Sequence, residues 1–175
     1  MNRIVVLAVS VVLVLVVAAP TAFARTQSPP YPIDETPLIL PAKGDPDAYE
    51  YLSCEFPVSL VRSGIEKDVQ LPSVTGSFTI IQAGHESTLT NLDTGKQVTL
   101  KDTGTLVMGA VKGEPSLIRE TLTGTNLVGS EETGFALITG HFTQIETGNE
   151  DGTGWIIIQP LSGEGQITDV CALLS

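Results

Sequence analysis

From Ser53 to the C-terminus the chain is written in short runs of Thr, Val, Ile and Leu, punctuated by Gly at intervals of about ten residues. No other feature constrains the fold as strongly, because β-branched residues suit pleated strands and Gly suits the turns between them. Cys54, Phe56, Val58 and Leu60 alternate with Glu55, Pro57, Ser59 and Val61, the period of a strand with one buried face. Pro57 cannot donate to a ladder, which puts that strand at an edge or a bulge. Further strands are expected at 77–83, 87–92, 97–101, 105–111, 117–128, 135–146, 154–159 and 166–173.

Two turns stand out. In Asn91–Lys96, Asp93 can fold its side chain onto the backbone and Gly95 can take the left-handed conformation, so 87–92 and 97–101 should form a hairpin. Thr147–Gly154 marks a second hairpin, flanked by the apolar runs Phe135–Ile138 and Trp155–Ile158. Four consecutive apolar residues place side chains on both faces, so these runs are expected to be central strands covered on both sides. The segment from Glu114 to Leu122 has room for one helical turn, but Thr121 and Thr123 argue against it. The expected class is all-β: an antiparallel β-sandwich or a small β-barrel of about 8 to 10 short strands.

The N-terminus has another character. Arg3 precedes an apolar run from Ile4 to Ala19, Pro20 ends it, and Ala22-Phe23-Ala24 supplies a small-residue cleavage site. This order reads as a secretory signal peptide over residues 1–24, cut after Ala24, rather than as a retained anchor. Residues 25–52 form a Pro-rich extended leader. Six of the eleven prolines fall between Pro29 and Pro46, and the apolar Pro37–Pro41 segment is able to dock on the all-β domain at 53–175.

Export and an even cysteine count argue for one disulfide, Cys54–Cys171. Nine basic against twenty acidic side chains give a net charge of −11, with no Lys or Arg after Arg119. Such a surface repels phosphate backbones and anionic lipid headgroups, so neither nucleic acid nor, after signal cleavage, a membrane is an expected partner.

The signal peptide, Cys54-Glu55-Phe56-Pro57-Val58, the Thr90–Val98 segment and the terminal Thr168–Leu173 together resemble a group of small secreted proteins of unknown function from high-GC Gram-positive bacteria. The resemblance covers about Ser53 to Ser175. It implies an exported, single-disulfide, all-β domain, and it brings no activity or functional residues with it.

Candidate chemistry is sparse. His85-Glu86-Ser87 sets a base, a carboxylate and a hydroxyl side by side, but adjacent strand residues point to opposite faces, and after Gly84 the segment reads as a solvated turn. His141 lies in the long apolar strand, in phase with Phe135, Leu137 and Ile145, and is expected to be a bonded core or edge residue rather than a metal ligand. Glu146, Asn149, Glu150 and Asp151 offer oxygens to a cation, although calcium wants roughly six to eight and an acidic hairpin tip explains them as well. No catalytic residue, metal ligand set or cofactor site is assigned. The function expected is a secreted, non-catalytic β domain acting through its surface on an extracellular or envelope partner. The alternatives are a β-barrel that binds a small apolar ligand, and an enzyme, a hydrolase or barrel-type cyclase, with a dispersed site.

Overall fold

The Thr- and Val-rich runs do form strands, but longer ones than their glycines suggest. A computed structural model describes residues 28–48, 51–70, 78–148 and 155–175. Among these, nine strands and one short helix occur: β1 (Tyr31–Pro32), β2 (Leu38–Leu40), β3 (Val58–Gln70), β4 (Phe78–Asn91), β5 (Gln97–Lys101), β6 (Thr105–Val111), β7 (Glu114–Ser130), β8 (Gly134–Gly148), β9 (Trp155–Asp169) and α1 (Val170–Leu174). All the pairings are antiparallel, and the all-β class expected from the sequence holds.

The strands form a single sheet in the order β1-β3-β4-β6-β7-β8-β9, with β2 beside β3 and β5 beside β4. Among the described residues β9 pairs with β8 alone, so the sheet they form is open and not hydrogen-bonded into a closed barrel. It nevertheless curls. Leu40, Val58, Leu60, Leu89 and Phe135 share one core with Val170 and Leu174 of α1, which brings strands from both ends of the order together. A second cluster, Leu122, Ile138, Phe142 and Leu161, fills the β7–β9 side.

Two expected strand pairs are continuous. Over their described residues, the 77–83 and 87–92 runs fall in one strand, β4, with an irregularity in its pairing, and the 154–159 and 166–173 runs merge into β9, whose continuation is α1. The segment from Glu114 is strand, not helix. In the β4–β5 turn Gly95 has φ +74°, but the side chain that folds onto the backbone is Asn91, whose Oδ1 accepts from the N–H groups of Asp93 (2.9 Å) and Thr94 (3.2 Å). Phe135, Ala136 and Ile138 are buried from both sides as expected, whereas Ile156 and Ile158 are exposed because β9 is an edge. The tip of that hairpin, 149–154, lies outside the described residues.

The leader docks. Leu38, Ile39 and Leu40 pair with Leu60, Ser59 and Val58, and Leu40 is buried. Tyr31 pairs with Glu66 and donates its hydroxyl to Glu66 (2.8 Å) and Asp68 (3.0 Å). The expected disulfide is present, with Cα atoms of Cys54 and Cys171 at 5.4 Å.

Candidate functional site

The site originates in one bulge. β3 and β4 pair regularly from Val58↔Asn91 to Ser63↔Glu86, then resume at Ile65↔Ala83, so Gly64 faces both Gly84 and His85. Gly84 has φ +70° and Gly64 φ +121°, and a Cβ on Gly64 would lie 2.6 Å from the Gly84 carbonyl oxygen. The extra residue reverses the alternation of β4. Gln82 lies on the inner face before the bulge, and His85, Ser87 and Leu89 lie on it afterwards. Opposite them β5 ends and β6 begins, and the break at 102–104 fits the bulge: Asp102 N–H donates to the His85 carbonyl (3.2 Å), and Gln82 N–H donates to that of Gly104 (3.1 Å).

His85, Ser87 and Asp102 are thereby all buried, at no more than 1% exposure. Ser87 Oγ donates to Asp102 Oδ2 at 2.9 Å. Among the described residues the buried side-chain atoms without a hydrogen-bond partner are Gln82 Oε1, His85 Nδ1, His85 Nε2 and Asp102 Oδ1, and these belong to one neighbourhood. Gln82 and Asp102 line a cavity of about 140 Å³ whose other walls include Leu40, Leu60, Leu127 and Phe135, with Arg62 also contributing.

Burial holds His85 below its usual range against the opposing pull of Asp102 and Glu66, so the imidazole is neutral at pH 7. Burial likewise raises Asp102 above the usual carboxylate range, against the hydrogen bond from Ser87. Glu66 Oε2 stands 4.0 Å from His85 Nε2. A Ser-His-Asp relay needs the imidazole between the hydroxyl and the carboxylate. Here the hydroxyl donates directly to the carboxylate and the imidazole bonds to neither, so Ser87 is not activated as a nucleophile.

Both histidines differ in exposure from the sequence expectation, although His141 is hydrogen-bonded as expected. His85 is buried in a strand rather than solvated in a turn. His141 is exposed on β8, with Nδ1 3.3 Å from Thr123 Oγ1, because its face of the β7–β8 pair is open at that level. Of the cation candidates, Asn149, Glu150 and Asp151 lie outside the described residues. Glu146 is buried on the inner face of β8, beside Glu120 of β7, whose carboxylate accepts from Gln144 Nε2 at 2.6 Å. No group of three or more His, Cys, Asp or Glu that could hold a metal ion occurs among the described residues.

Sequence reasoning passed over Asp102, Gln82 and Arg62. The available signal was Gly84 directly before His85, which marks a bulge as readily as a turn. The chain matches no protein-family model, no curated protein and no solved structure.

Proposed function

We propose that this protein is an exported, non-catalytic β domain that binds a small molecule inside its curled sheet. One observation carries the reading: the unpartnered buried polar atoms of the described residues gather in one place, and two of their residues line a cavity otherwise walled largely by leucines and Phe135. A buried polar group without a partner costs about 1 to 3 kcal/mol, and a few convergent polar groups in an apolar recess are the usual form of a ligand site. The absence of a relay around Ser87 favours binding over hydrolysis.

Export rests on the residue 1–24 signal and the single disulfide, in keeping with the resemblance to small secreted proteins of high-GC Gram-positive bacteria. Secreted chain should begin at Arg25. The charge of −11 weighs against nucleic acid and anionic membrane surfaces as partners. The binding test is protein-observed NMR with a set of molecules of roughly ten or fewer non-hydrogen atoms. Binders should shift the amides of Gln82, Asp102 and Leu127 together; shifts scattered over the surface would refute the reading.

A second reading, partner binding through the sheet edge, is favoured by Ile156, Ile158 and Ile167. These are about half exposed on β9, which has a free edge among the described strands. Its signature would be broadening confined to β9 when partner is added.

A further inference from the structure

We propose that the ligand of this cavity is a small primary monoamine, bound as its ammonium ion with Asp102 as the counter-charge. The inference rests on the cavity-binding reading and adds the chemical class. Asp102 is 1% exposed; its Oδ2 accepts from Ser87, while its Oδ1 has no partner. A carboxylate removed from water takes up a proton unless a cation or several donors hold it ionised, and for that a single hydroxyl is insufficient. The chain's own nearby cation, Arg62, is exposed and forms no ion pair among the described residues, where the pairs are Lys43–Glu55 and Glu66 with His85.

The second unpartnered atom on the cavity wall is Gln82 Oε1, another acceptor. Behind them the neutral His85 retains one acceptor nitrogen. An ammonium group carries three donors and no acceptor, so it complements this set. An anion would face the Asp102 carboxylate and the Gln82 Oε1 acceptor, with the exposed Arg62 as its attraction, and an alcohol has a single proton to donate. Leu40, Leu60, Leu127 and Phe135 can receive a short alkyl body. The cavity's 140 Å³ corresponds to between four and five waters at about 30 Å³ each, which limits that body to a few carbons. Arg62 disfavours a second positive charge, so the site selects a monoamine over a diamine.

The test is an NMR titration of the oxidised mature protein at pH 7 with three probes of matched shape: n-butylamine, n-butanol and butyrate. Butylamine should shift Gln82 and Asp102 with a Kd on the order of 1 mM, butanol should bind at least about tenfold more weakly, and butyrate should not bind. Asp102→Asn keeps an acceptor for Ser87 and should weaken butylamine at least about tenfold while leaving butanol unchanged. Should that variant fail to fold, Gln82→Leu leaves the charge in place and should weaken butylamine at least about threefold. Butanol or butyrate binding in the cavity as tightly as butylamine would overturn the amine assignment and leave cavity binding standing. No shift with any of the three would overturn both.

Discussion

A single backbone irregularity separates the two histidines energetically. His85 is fully enclosed, so His85→Gln should cost about 1 to 3 kcal/mol in a urea titration, while exposed His141→Gln should stay within about 0.5 kcal/mol of the parent. Equal effects would contradict the burial described for either residue. A second residue-scale consequence concerns pH. Burial, reinforced by the neighbouring charge of Glu120, pushes the Glu146 carboxyl from an ordinary 4.5 up to about 7. The folded state then holds a proton that the unfolded chain has released. Glu146 therefore contributes stability that is intact below pH 4.5 and is lost as pH rises to 7, by about 2 to 3 kcal/mol. Depressed His85 acts in the opposite direction, its contribution falling away below pH 6.5. Glu146→Gln should flatten the loss between pH 4.5 and 7 in thermal unfolding curves; an unchanged slope would show that the carboxyl is not the cause. The candidate site was illegible at this scale because strand parity assigns faces only while the ladder is regular, and His85 follows the one residue of β4 where it is not.

Among the elements, strand existence was far easier to read than strand continuity. β5 and β6 coincide with the expected 97–101 and 105–111 runs, because their composition is β-prone and turn residues bound both ends. β4 was divided in two at Gly84, since a glycine in a left-handed conformation serves a turn and a bulge alike, and only the pairing partner distinguishes them. That partner is Gly64, and its substitution isolates the bulge. Gly64→Ala would drive a methyl against the Gly84 carbonyl and the His85 Cα at φ +121°, whereas Gly84→Ala meets open space and incurs only left-handed strain. Strain alone costs about 1 to 2 kcal/mol. Gly64→Ala should be clearly the more destabilising of the two, by about 1 kcal/mol or more, and it should perturb the NMR signals of Ser87 and Asp102. If Gly84→Ala proved the worse, the bulge would not be packed as described. The leader teaches a related lesson: its prolines exclude interior strands, yet Leu38–Leu40 still pairs at an edge, where a missing N–H is tolerated on either side.

At the scale of the whole molecule, the difficulty is that an open antiparallel sheet has two ends, and the curl must be held without ladder hydrogen bonds between its edge strands. Three links do this. Val170 and Leu174 of α1 are completely buried against the core that Val58, Leu60 and Leu89 also form. Asn91 Nδ2 donates to the Leu174 carbonyl at 3.1 Å, and Lys96 Nζ donates to that of Ser175, tying the chain end to the β4–β5 turn. The Cys54–Cys171 bridge joins the segment that leads into β3 to α1, which follows β9, across 117 residues. Cysteine count alone made this pairing legible, while the curl it clasps was not, since neither a sandwich nor a closed barrel describes one open sheet. A closed loop of this length stabilises by up to about 4 to 5 kcal/mol through lost denatured-state entropy, and natural bridges typically contribute about 2 to 4. Because β9 is otherwise held on one side only, the bridge should matter most at the C-terminus. The Cys54→Ala/Cys171→Ala double variant should lose about 2 to 4 kcal/mol in urea unfolding. In its native state the amides of 170–175 should exchange with solvent at least about tenfold faster than in the parent, while those of the β7–β8 pair change little. Uniform acceleration across the sheet would mean that the bridge acts only on global stability, and no acceleration at 170–175 would show that α1 and the Asn91 and Lys96 contacts hold the two ends together without it.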